Sequence, residues 1–346
     1  MGPLSRRGLL LGGLTLAGGG LLAGGLGLDE AWAIDGPTII SCDGWGSRRN
    51  RGVLPVYDRR PVKILVHHTA TPNAKVTTRD AAVRLARSIQ NFHMDRRGWP
   101  DTGQHFTVSR GGIVLEGRHR SLEFVRVGRW QVEGAHCTGQ NVVAIGIENE
   151  GTYTAVNPPG VLWEKLRSLC AYLCGQYRIR PTQIFGHRDF KDTACPGDKL
   201  YAALPRLRSE VAGLLGQKLK KATVDPVAWP LLRIADRGQR VLAAQHLLRA
   251  AGVPGIVPDG RFTRELADAV RAFQAERGFG RDDPDLDSGD GPNGMIGGET
   301  WPALARPVRA GEGGEAQQAV EVLLRGRNEP VPDVVTPEIW QRLLAP

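Results

Sequence analysis

Apolar and polar positions alternate with two different periods along this chain. Val62-Lys63-Ile64-Leu65-Val66 and the run Val142 to Ile147 are nearly continuous apolar stretches, the pattern of strands buried on both faces. Gln104 to Val108 and Ile113 to Glu116 flank Gly111-Gly112, which predicts a hairpin. Between these runs the period lengthens. Ala82, Val83, Ala86, Ile89 and His93 recur at helical spacing behind Thr78, a candidate cap. Trp163, Leu166, Leu169, Leu173 and Tyr177 mark a second helix. Leu200, Ala203, Leu204, Leu207, Val211 and Leu214 mark a third, running to about Gly216. Strands alternating with helices, with one hairpin among them, predict an α/β fold with a mixed central sheet flanked by helices. Ser41 to Arg60 reads as an irregular arm.

Past a charged, proline-containing linker at 218–230 the chain is helical and repetitive. Gly238 and Leu247-Leu248-Arg249 are echoed by Gly314 and Leu323-Leu324-Arg325; Trp301 and Leu304 are echoed by Trp340 and Leu343. The second copy lacks the middle helix, so it is a half repeat. Asp283, Asp285 and Asp287 have calcium-like spacing, but Pro284 lies inside the run and no closing glutamate follows, so a solvated loop is preferred.

Strand tips carry the candidate chemistry. The run 61–66 ends in His67-His68, and Ile184-Phe185-Gly186 ends in His187. Cys195 follows eight residues later, before Pro196 and the third helical pattern. Proline at a first helical turn is a start signal, so the sulfur is expected against the positive end of a helix, which favours thiolate. His67, His187 and Cys195 together make three zinc ligands with a fourth position open, the pattern of a catalytic site. Ordinary core residues are the competing reading.

Composition adds a compartment. The chain has 346 residues and a formal net charge of +9, suited to an anionic polymer, though no basic-aromatic stripe or nucleic-acid motif accompanies it. Ser5-Arg6-Arg7, a Gly/Ala/Leu stretch and Ala31-Trp32-Ala33 read as a twin-arginine export signal cleaved before Ile34, in preference to a membrane helix. With Cys195 assigned to metal, Cys42, Cys137, Cys170 and Cys174 remain for disulfides. One of Cys170 and Cys174 is expected to reach Cys42 and staple the N-terminal arm.

Val66-His67-His68-Thr69, Arg97-Gly98-Trp99, Glu116-Gly117-Arg118, Gly134-Ala135-His136, Gly186-His187-Arg188-Asp189 and Thr193-x-Cys195-Pro196-Gly197-Asp198 form one ordered series. Across residues 40–215 the chain resembles the peptidoglycan recognition protein and type 2 N-acetylmuramoyl-L-alanine amidase family. Its C-terminal region resembles the small all-α, three-helix peptidoglycan-binding domain. The resemblance implies a signal at 1–33, a zinc amidase domain at 34–217, a linker at 218–230, a binding domain at 231–305 and a degenerate half repeat at 306–346. It implies Zn²⁺ held by His67, His187 and Cys195, and cleavage of the lactyl–L-alanine amide of peptidoglycan by a secreted monomer that contacts muropeptide stem and glycan, without nucleic acid or membrane. Gln104 stands where many such amidases carry a tyrosine that assists the attacking water. Glu148, in Ile145-Gly146-Ile147-Glu148-Asn149-Glu150, matches the base of a related branch; a turn or histidine acceptor is the alternative. Thr193 matches an oxyanion-stabilising position, with turn formation as the alternative. His105, His136 and Gln104 are expected to contact substrate. A peptidoglycan sensor without chemistry and a thiol hydrolase using Cys195 and His187 are the rival readings.

Overall fold

The computed structural model describes residues 34–219, 228–279, 291–327 and 329–345. The predicted export signal, the middle of the predicted linker, and Asp283, Asp285 and Asp287 lie outside the described residues. The first part of the chain contributes strands β1 (Ile39–Ile40), β2 (Val56–Tyr57), β3 (Lys63–His68), β4 (Phe106–Val108), β5 (Val114–Glu116), β6 (Gln131–Val132), β7 (Ala144–Asn149) and β8 (Ile184–Gly186). Six of them form one sheet in the order β1-β5-β4-β7-β3-β8, and β2 pairs with β6 apart from it. Strand β3 runs parallel to both β7 and β8, β7 parallel to β4, and β4 antiparallel to β5. The sheet is therefore mixed, and β3 and β7, the two longest apolar runs, are central.

Alternation sorts side chains between the two faces. Ile64, Val66, Ile145 and Ile147 pack under the helices Gly160–Tyr177 and Leu204–Leu214, through Leu166, Leu169 and Leu207. On the other face Leu115 packs with Cys42, Trp45, Ala82 and Ala86, the last two from the helix Arg79–Asn91. That helix begins at Thr78 as expected, with the Thr78 hydroxyl accepting from the Ala81 N–H.

Three expectations change. The arm is ordered: just after β1, which pairs in parallel with β5, it opens on a short helix, Cys42–Trp45, and β2 within it pairs with β6. No disulfide staples it, because all five cysteines are free. Val114 and Leu115 are consecutive in β5 and face opposite ways, and Cys170 and Cys174 pack with Val114 while Cys42 packs with Leu115. The sheet thus separates the proposed partners. Glu116 does the stapling, accepting from the Cys42 and Leu122 backbone N–H groups at 2.9 and 2.8 Å, while its carbonyl takes the Trp45 indole N–H at 2.8 Å. The third helix is also broken, into Asp198–Ala202 and Leu204–Leu214, and it starts three residues beyond Cys195 rather than beside it.

The C-terminal region holds the helices Gln239–Ala250, Arg264–Glu276, Thr300–Leu304, Gly314–Leu324 and Pro337–Leu344, with β9 (Val308–Arg309) antiparallel to β10 (Val334–Val335). One core joins both copies: Val241, Leu247, Leu248 and Trp301 share it with Ala319, Val320, Leu323 and Trp340. The echo in sequence is an echo in structure. The Trp301 indole donates to the Pro230 carbonyl and the Trp340 indole to the Arg306 carbonyl, each two residues before a bridged position, Leu232 with Ile296 and Val308 with Val335. Among the described residues no helix is long and apolar enough to cross a membrane.

Candidate metal centre

Register builds the site. Glu148 of β7 lies beside His67 of β3 on one side and Thr107 of β4 on the other. Val66 lies beside Gly186, so His187, one residue on, reaches the level of His67. The row sits at the carboxyl ends of parallel strands, where open α/β sheets place their ligands. Cys195 returns to it from the loop after His187. The ligand atoms of His67, His187 and Cys195 all lie within 4.8 Å of one another.

Hydrogen bonds decide which nitrogen of His67 faces the cleft. His136 Nε2 lies 3.3 Å from the Ala144 carbonyl, which can only accept, so Nε2 carries the proton and Nδ1 a lone pair. His67 Nε2, 3.1 Å from that Nδ1, is then the donor, and His67 Nδ1 is left with its lone pair directed into the cleft. Nδ1 is 3.7 Å from Cys195 Sγ and 4.0 Å from Glu148 Oε1. Tetrahedral zinc with ligands at its usual bond lengths needs donors about 3.5 Å apart, so this pair is already at the right separation. Burial and the neighbouring imidazoles hold His67 and His136 well below the usual histidine range, so both stay neutral, the form that ligates.

Burial pushes the Cys195 thiol up, opposed by a hydrogen bond from His187. The expected helix terminus plays no part; the near donor is the His68 backbone N–H, 3.4 Å from the sulfur. A cation is what such a thiol needs to ionise. Glu148 keeps 20% of its side-chain surface open, yet burial pushes its carboxyl up to about 7, with only His187 pulling it down. Its Oε2 has no hydrogen-bond partner. His68 points to the other face and accepts from the Tyr153 N–H at 3.2 Å.

The remaining candidates divide. His136 hydrogen-bonds His67, a contact that fixes the orientation of the His67 ring. The His136 ring fits because Gly146 has no side chain; a Cβ there would come within 2.5 Å of it. His105 is fully buried, with Nδ1 accepting from the Gly146 N–H and Nε2 donating to the Val132 carbonyl, so no ring atom is left for substrate. Gln104 is also buried; its Nε2 donates to the Thr107 hydroxyl at 2.9 Å and its Oε1 has no partner. Thr193 Oγ1 accepts from the Cys195 N–H at 3.2 Å, a turn contact. Arg188 was missed as a singled-out residue: its guanidinium pairs with Asp198 at 2.9 Å and donates to the Ala194 and Cys195 carbonyls, bracing the cysteine from behind. Its place in the Gly186-His187-Arg188-Asp189 series was the available signal.

Residues 57–198 match the family model of N-acetylmuramoyl-L-alanine amidase, and residues 237–282 match that of a peptidoglycan binding domain. Over 181 residues the chain is 34% identical to peptidoglycan recognition protein 1 of Bos indicus, covering 51% of this chain and 86% of that protein. The chain belongs to the peptidoglycan recognition protein and N-acetylmuramoyl-L-alanine amidase family. A second member, the N-acetylmuramoyl-L-alanine amidase of Homo sapiens, is 34% identical over 165 residues, which span 46% of this chain and 26% of that protein. The solved structure of wild-type Drosophila PGRP-LB is 27% identical, with 48% of this chain and 92% of that one covered and a TM-score of 0.43. Both family names include proteins called recognition proteins and proteins called amidases. The choice between them rests on the cleft.

Proposed function

We propose that this chain is a zinc-dependent N-acetylmuramoyl-L-alanine amidase that hydrolyses the amide between the lactyl group and the L-alanine of peptidoglycan, exported by a twin-arginine signal and held at the wall by its C-terminal module. The supporting observation is the convergence of His67, held neutral by burial, with His187 and the Cys195 thiol beside a carboxylate whose pKa is pushed up to about 7. His67 through Nδ1, His187 and Cys195 would hold the ion. Bound zinc supplies a Lewis acid for the scissile carbonyl and eases ionisation of water. Glu148 accepts a proton from the attacking water as the new C–O bond forms, then gives it to the alanine nitrogen as the C–N bond breaks. Thr193 and Gln104 flank this chemistry as candidate polar contacts, the second through its unpartnered Oε1. The thiol hydrolase reading is disfavoured, since a nucleophilic thiol needs its pKa lowered and burial does the reverse here.

The test is release of free stem peptide from purified sacculi by the mature protein, with metal content measured alongside. Activity lost on chelation and restored by zinc supports the reading. Binding to sacculi without peptide release, in zinc-loaded protein, would leave a sensor.

A further inference from the structure

The loop between the two downstream ligands is held from both sides. Arg188 braces its inner side. Its outer side is held by the C-terminal module, through Asp192, which is 2% exposed and lies between His187 and Cys195. Asp192 Oδ1 accepts from the backbone N–H groups of Gly297, Glu299 and Thr300 at 2.7, 3.1 and 3.0 Å. Its Oδ2 accepts from the Thr300 hydroxyl at 2.5 Å and from Gln274 Nε2 at 3.1 Å. Asn293 Nδ2 donates to the Asp192 carbonyl at 2.5 Å, and Lys191 pairs with Glu299 at 3.0 Å. Gly298 sits so close that a Cβ would come within 2.6 Å of the Asp189 carbonyl group. These partners lie between 82 and 108 residues away in sequence and in three separate stretches of the module.

Resting on the zinc reading above, we propose that Asp192 is a positioning residue for the metal centre and that the C-terminal module, beyond attaching to the wall, holds the His187–Cys195 loop in the shape that brings both ligands to His67. A loop carrying two ligands must be ordered before they can converge, and that ordering opposes metal binding. The module supplies the order in advance. Partners that orient ligands in this way are typically worth about 10–100-fold in metal affinity. A passive anchor would dock through surfaces remote from the ligands; this one grips the chain between them.

Full-length Asp192→Ala, Asp192→Asn and Thr300→Val proteins test this by chelator competition for Zn²⁺ and by the absorption spectrum of the Co²⁺ form. Asp192→Ala is expected to weaken zinc binding about 10–100-fold and to alter the cobalt–thiolate bands. Asp192→Asn, which keeps an oxygen for the three backbone donors, and Thr300→Val, which removes one hydroxyl donor, should lose less. On a soluble muramyl peptide, where wall attachment has no role, Asp192→Ala activity should fall at limiting zinc and recover at saturating zinc, with KM unchanged. Wild-type zinc affinity and an unchanged cobalt spectrum in folded Asp192→Ala would overturn the proposal; if that variant does not fold, the same results in Thr300→Val and Asp192→Asn overturn it. Failure of the wild-type protein to bind zinc would instead sink the reading of the centre itself.

Discussion

One set of buried polar groups surrounds Asp192 on the loop between His187 and Cys195, another surrounds Glu148 at the end of β7, and the two are built on opposite terms. At Asp192 both carboxylate oxygens are met by donors, five in all, so the cost of burying the group is offset by hydrogen bonds. In the cleft, Glu148 Oε2 and Gln104 Oε1 are buried without partners. Burial raises both acids, but at Asp192 hydrogen bonds from Thr300, Glu299 and Gly297 pull back, whereas at Glu148 only the charge of His187 does. Native interiors rarely leave such acceptors open. The carboxylate at Asp192 is saturated by its neighbours, while the one at Glu148 keeps acceptor capacity to spare.

Breaking the cleft should have the largest effect. Cys195→Ala removes the proposed anionic ligand, and the purified protein should carry no zinc and release no stem peptide, while its thermal unfolding temperature without metal stays close to wild type. If that variant retained zinc and turnover, the donor set would be wrong.

Next in size is Glu148→Gln, which should lower kcat by about 10²–10⁴-fold with zinc content intact. The same variant sharpens the contrast through stability. Because the folded pKa of Glu148 lies above its unfolded value, its stabilising contribution is full below about pH 4 and is lost as pH rises through about 7. Metal-free Glu148→Gln should therefore be more stable than metal-free wild type near pH 8, by on the order of 2 kcal/mol, with the difference shrinking toward pH 5. Parallel pH profiles from thermal unfolding would show that the carboxylate is not strained by burial.

The smallest effect is expected at His136→Ala. Losing the acceptor that sets the His67 tautomer should weaken zinc binding about 10–100-fold while leaving saturated turnover near wild type. A fall in turnover at saturating zinc with affinity unchanged would return His136 to the substrate side of the cleft.

Much of the fold was legible because it is local. The continuous apolar runs became β3 and β7, the cap at Thr78 opened its helix, and the histidines lie at strand ends as their position after apolar runs implied. The sequence pointed to Cys195 as a neighbour of His67 and His187 but not to its surroundings, since the helix that follows begins at Asp198 and the sulfur lies against the His68 N–H from β3 instead. The arm misled for a similar reason: its strand β2 is two residues long and is held by pairing with β6, more than seventy residues on. His136 carried a readable signal, the small residues Gly134 and Gly146 that make room for its ring, but that signal has meaning only once the strands are in register. Asp192 carried none; among polar neighbours it looks like a solvated loop residue.

By itself, then, the sequence determined the central strands and the main helices and which side chains carry metal-binding donor atoms, because periodicity, caps and donor chemistry are properties of a residue and its near neighbours. Only the tertiary structure decided which polar groups find partners. Whether a carboxylate is quenched by donors some hundred residues away, as at Asp192, or left open beside imidazoles, as at Glu148, depends on segments that meet only after folding. The physical reason is that the cost of a buried charge is set by what surrounds it in space, which no local pattern records.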